Sequence, residues 1–245
     1  MLRRYPDVIR IFDRAIAVAP DDPNFVAQRA TVELDWHADS KPLHAAIDQI
    51  LASDPTKAGT IADQWLYLAL CRRDVVEISN ALGSLAPEGI IPYNVRLPRS
   101  FCEGLAARTR GDADTSEKSF TAARVELEKI VREQSDDARA LCVLGMIDAA
   151  LGRKEDALRE GRWATELLPV TKDALAGAQV LANLAITYAW AGEKDLAIRQ
   201  LEELVRIPSP VSYGQLRLHP YWDPLRGDPR FEKLVEEANK PVALR

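Results

Sequence analysis

Residues 140–169 read ALCVLGMIDAALGRKEDALREGRWATELLP, and the spacing within them decides the fold. Gly152 separates two helix-forming runs, and Pro169 follows the second. Glycine turns the chain between the helices, and proline stops the second. Small residues stand where the two helices touch: Gly145 lets the second helix approach, and Ala157 receives the first. A second copy occupies residues 180–205, VLANLAITYAWAGEKDLAIRQLEELV. It sets Leu184-Ala185, Tyr188, Gly192, Ala197 and Leu201 at the same relative places.

Weaker copies lie upstream. Gly104 and Gly111 are spaced like Gly145 and Gly152, with Phe120 and Ala123 where an aromatic and a small residue belong. Residues 62–87 read as another pair with a tight turn at Arg72-Arg73-Asp74. Residues 24–55 are the most degraded copy, because Arg29 or Glu33 falls where an apolar residue is expected. These offsets resemble the tetratricopeptide repeat, a helix–turn–helix unit of about 34 residues. The resemblance implies an all-α superhelix of about five helix pairs, with a leading single helix and a C-terminal cap.

The division that follows is residue by residue. Residues 1–22 are the second helix of a truncated repeat, 23–55 and 56–87 are helix pairs, and 88–98 are an irregular linker. Residues 99–134 form a pair with a lengthened second helix, 135–169 a regular pair, and 170–207 a pair with a lengthened first helix. Residues 208–245 cap the array. In the first segment Tyr5, Val8, Ile9, Phe12, Ala15, Ile16 and Ala19 cover roughly half of a helical wheel, wider than the ~100° stripe of a helix with one apolar contact. The expectation is a helix cut from its partner, with Ile9, Phe12 and Ile16 partly uncovered and available to a second copy.

Two departures from the period are informative. The surplus between Gly111 and Gly152 falls at the end of TSEKSFTAARVELEKIVREQ, and that between Gly152 and Gly192 at VTKDALAG. Leu127, Ile130 and Val131 continue the apolar face of the first, and Thr171 is the expected N-cap of the second. Both extensions project from one rim and form a ledge, read first as extra packing and second as a docking edge. In the linker, Pro87, Pro92 and Pro98 enforce an extended path, and Ile91 and Tyr93 are read first as pinning it and second as meeting a partner.

Residues 212–240 are not a repeat. Asp223-Pro224 and Asp228-Pro229 read as helix starts, and Leu216, Trp222, Phe231 and Leu234 supply a dense apolar set. Glu232, Lys233, Glu236, Glu237 and Lys240 give the polar outer side that a terminal cap needs. The tail LRLHPYWDPLRGDPRFEKLV, joined to the repeats, resembles the C-terminal region of bacterial signalling proteins that carry tetratricopeptide arrays beside serine/threonine kinase, adenylate/guanylate cyclase or TolB-like domains. That resemblance covers the whole chain and supplies no catalytic residue.

Composition narrows the partners. The net charge of −5 and the scattered arginines, densest at Arg3-Arg4, Arg72-Arg73 and Arg108 with Arg110, argue against nucleic acid. No apolar run reaches the ~18 residues of a membrane helix. Cytoplasmic location is expected, or a fragment of a membrane-anchored protein. Cys71, Cys102 and Cys142 lie in apolar stretches without a CxxC pair and read as small buried hydrophobes. His37 and His44 flank a turn with Asp35 and Asp39, where solvated histidines are commoner than a metal site. No phosphate loop, GxSxG or HExxH occurs. Neither cofactor, metal nor catalysis is expected.

In arrays of this type the first helices line the concave side. By register that surface carries Leu66, Leu70, Phe101, Leu105, Cys142, Met146, Ala182, Asn183 and Ile186. The expected function is a non-catalytic scaffold binding a peptide or partner domain. The alternative is a spacer or self-association element controlling an upstream kinase or cyclase.

Overall fold

The computed structural model describes residues 2–242. Helix α1 (Tyr5–Val18) stands alone at the start. Five pairs follow: α2 (Pro23–His37) with α3 (Lys41–Ser53), α4 (Ala62–Arg72) with α5 (Val75–Ser84), α6 (Arg99–Thr109) with α7 (Ala113–Glu133), α8 (Ala138–Ala150) with α9 (Lys154–Leu167), and α10 (Ala176–Trp190) with α11 (Lys194–Leu204). Helix α12 (Tyr213–Leu218), a 3-10 turn over Pro220–Leu225, and α13 (Pro229–Glu237) end the described chain. Consecutive helices pack on one another, so the fold is an all-α helical-repeat solenoid, as the spacing predicts. The described residues contain no strand beyond an isolated bridge, Ile90 to Leu97.

Short acidic side chains start many of these helices. Asp74 accepts hydrogen bonds from the amides of Val76 and Glu77, and Asp137 from those of Arg139 and Ala140, satisfying donors that a helix start leaves open. The turns within three later pairs put Gly111, Gly152 and Gly192 at left-handed φ of 75° to 80°. The two earliest pairs lack that glycine. Ala38 and Arg73 take the same left-handed geometry at φ 55°, which strains a residue with a Cβ. Pair packing depends on small residues as expected: a Cβ on Gly145 would lie 3.0 Å from the Ala157 carbonyl oxygen, and Ala157 is fully buried.

The two surpluses have different fates. Helix α7 runs 21 residues without interruption, burying Leu127 and packing Ile130 and Val131 against the core. The surplus before α10 is not helical. Residues 170–175 form turns, and Asp173, not Thr171, accepts from the amides of Leu175 and Ala176. A lengthened first helix is therefore corrected to a capped turn, because the Asp173 carboxylate satisfies the open amides beside α10's first turn. Arg139 at the start of α8 reaches Asp173 at 3.4 Å, tying neighbouring segments of that rim together. In the linker, Val95 and Leu97 are the buried pins; Ile91 and Tyr93 are exposed. The isolated bridge turns Val95 and Leu97 inward and leaves Ile91 and Tyr93 outside.

The tail does more than cap. Helix α13 packs on α11, and the 3-10 turn packs on α10; Trp222, Phe231 and Leu234 are buried, and so are Ile198, Leu201 and Val205 at the end of the last pair. Helix α12 continues to the far end of the array and packs on α2 and α4. There the backbones almost touch: a Cβ on Gly214 would fall 1.7 Å from the Leu34 carbonyl oxygen. The Val242 amide donates to the Leu2 carbonyl at 3.1 Å, and the Arg3 guanidinium donates to the Val205 carbonyl. Start and end of the described chain thus meet, and the solenoid is closed by its own tail. Of the two Asp-Pro steps only Asp228-Pro229 starts a helix. Asp223 lies within the 3-10 turn and instead pairs with Arg73 at 2.7 Å and Arg226 at 2.9 Å.

Candidate interaction surfaces

The nine residues expected on the concave side, Leu66, Leu70, Phe101, Leu105, Cys142, Met146, Ala182, Asn183 and Ile186, are all 4% exposed or less. They face neighbouring helices and form part of one continuous core with the tail. An open apolar groove at these positions does not describe this chain. Asn183 is occupied as well: its amide donates to the Cys142 sulfur at 3.2 Å, and its oxygen accepts from Gln179 at 2.8 Å. At 2% exposure, with one amide N–H and its oxygen engaged inside the fold, Asn183 is not presented to a carboxylate from outside.

The face of the first helices is instead lined by polar and aromatic side chains close to those positions, and they hold the tail. Asp35 of α2 accepts from the Tyr67 hydroxyl of α4 at 2.9 Å and from the Ser212 hydroxyl at 2.8 Å. Burial pushes the Asp35 carboxyl pKa up, and these two hydrogen bonds oppose the shift. Tyr67 stacks on His219, whose ring lies 4.1 Å from that of Tyr221. The Trp190 indole of α10 donates to the Tyr221 carbonyl at 3.0 Å, and the Arg108 guanidinium of α6 lies over the same indole at 4.6 Å. His219 is buried beside Arg73 and Arg226. Burial first, and those cations second, depress its pKa to about 3, so it is neutral in the fold. Sequence register points at the apolar rows and misses Asp35, Tyr67, Arg108 and Trp190. Their common trait is a polar or aromatic side chain on a first helix, beside the expected groove positions.

Helix α1 offers a different surface. Tyr5 stacks on Trp36 at 5.5 Å, and Asp13 accepts from Arg29 at 3.0 Å, so one side is fixed to α2. Val8, Ile9, Phe12, Ala15 and Ile16 remain half-buried, as the wide apolar wheel predicts. Ile11 is 56% exposed and Val18 86%. A shallow cleft beside this helix is lined by Arg4, Asp7, Arg10, Ile11, Asp13 and Arg14. Trp163 of α9, Leu175 before α10, and Val125 of α7 are further exposed apolar side chains.

The titratable groups singled out by sequence have structural partners. His44 lies 3.2 Å from Asp48 and 2.7 Å from Glu77, while His37 stacks on Trp36. No group of three metal-ligating side chains occurs among the described residues. The three cysteines are buried. Desolvation raises all three thiol pKa values, those of Cys102 and Cys142 to about 12. Among the described residues no helix is long and apolar enough to cross a membrane. No protein-family model matches the chain, and no curated protein matches it.

Proposed function

We propose that this chain is a non-catalytic scaffold of tetratricopeptide type, a module of a larger bacterial signalling protein that binds a partner protein. The observation that carries the reading is the tail seated across the first helices. Asp35, Tyr67, Arg73 and Trp190 hold a short helix and a 3-10 turn by hydrogen bonds, an ion pair and ring contacts. The face from which such arrays bind peptides therefore carries polypeptide in this chain, but it is the chain's own. A partner must then use what remains open, and α1 supplies an apolar exposed helix side, with Ile11 and Val18 outermost.

Self-association is the alternative, favoured by the half-buried row Val8, Ile9, Phe12 and Ile16 on the same helix. A photo-crosslinking residue placed at Ile11 of the full chain, in cells that make it, separates the two. A discrete adduct containing a different protein supports the scaffold reading, and an adduct of twice the chain mass supports self-association. Absence of any adduct at Ile11, repeated at Trp163, would remove both surfaces from consideration.

A further inference from the structure

In the fourth helix pair, Asp148 of α8 is fully buried. Its Oδ1 atom accepts from Arg124 of α7 at 2.6 Å and lies 3.3 Å from Arg153 of the α8–α9 turn. Its Oδ2 atom is buried and has no donor, and neither has Glu160 Oε2 of α9, which is buried as well. The two carboxyl groups belong to one charged cluster, linked through Arg153, Asp156 and Arg159. The nearness of Asp148 is among the causes that raise the Glu160 pKa. Ionised carboxylates only accept, so two orphan acceptors facing one another are repulsive when both are charged. One proton between them satisfies both atoms.

We propose that Asp148 and Glu160 share a single proton across the α8–α9 contact, forming a latch that opens when the proton is lost. In the closed form Glu160 Oε2–H donates to Asp148 Oδ2. On opening, the proton passes to solvent, and the two carboxylates repel across a contact in which Gly145 already brings the helix backbones together. Glu160 then turns toward Arg159, which lies 3.7 Å from its other oxygen.

The surrounding charges favour this division of roles. From α7, Arg124 faces Asp148, and its second bond goes to Glu128. From the turn, Arg153 is shared between Asp148 and Asp156. From α9 itself, Asp156 and Arg159 face Glu160. Helix α10, AGAQVLANLAITYAW, brings no charged residue. Arg124 and Arg153 therefore serve Asp148, and Glu160 is the member left to carry the proton. Burial and the Asp148 charge push its pKa up to about 8. Because the folded value lies above the unfolded one, this contribution to stability is complete below the unfolded value. It is lost as pH rises through the folded value.

Carboxyl carbon NMR of the full chain tests the sharing. One glutamate carboxyl is expected to remain protonated at pH 7, to titrate near 8, and to vanish in Glu160→Gln. If every glutamate carboxyl titrates in the ordinary range, near 4 to 5, the proposal is overturned. The latch has its own readout. Backbone amides of α9 are expected to shift with the same midpoint, and unmoved amides would overturn it. Glu160→Gln keeps an N–H donor for Asp148, so its melting temperature is expected to pull ahead of the wild type by roughly 2–4 °C per pH unit between pH 6 and 8. Parallel curves would likewise overturn the latch.

Discussion

Ala157 is enclosed by α8, with Gly145 pressed toward its carbonyl oxygen. Replacing it with leucine adds three heavy atoms where none fit, and a loss of about 1–3 kcal/mol is expected in thermal or denaturant unfolding. A neutral result would mean that the two helices do not meet at this register. Ala38 presents the opposite case. Its left-handed φ of 55° strains a residue with a Cβ, so Ala38→Gly relieves a local cost. A gain of about 1 kcal/mol is expected, read as a raised melting temperature. The thiols extend the residue-scale account. Cys71, Cys102 and Cys142 are buried with raised pKa values, so at pH 8 they should react with a disulfide reagent only on unfolding. Any thiol modified at the rate of a free peptide cysteine would contradict that burial.

At the scale of elements, the tail is the informative case. Trp222 is fully buried and its ring lies 6.4 Å from that of Phe231. Removing the indole leaves a large void in the contact with the last pair. Trp222→Ala is expected to cost about 3–5 kcal/mol, measured by denaturant unfolding. Helix pairs were legible in sequence because their determinants are local: a glycine or tight turn, a small residue at the crossing, an acidic cap. The half-buried face of α1 was legible for the same reason, since periodicity alone exposes it. The surplus at 170–175 was not. Thr171 and Asp173 are both capping residues, and only the path of the chain selects Asp173. The linker misled similarly, because proline fixes an extended course without saying which alternate side chain turns inward.

For the molecule as a whole, the unforeseen feature is closure. An apolar tail reads naturally as a lid on its neighbour, and α13 on α11 fulfils that. Nothing local announces that α12 reaches α2, because the contact joins Ser212 to Asp35 across 177 residues. The same closure explains why the expected groove residues are buried, since the surface they were assigned to is partly filled by the chain itself. Even the left-handed turn residue Arg73 takes part, pairing with Asp223 of the tail. Closure also makes a thermodynamic statement. Open repeat arrays fray from their ends, whereas here the first pair gains a second neighbour in the tail.

Hydrogen exchange on Gly214→Leu tests that closure most directly. The substituted side chain has no room, because even its Cβ would collide with the Leu34 carbonyl. The account predicts faster exchange in residues 23–37, far away in sequence, together with faster exchange in residues 212–218. Loss of protection confined to the tail, with α2 exchanging as in the wild type, would contradict a closed solenoid.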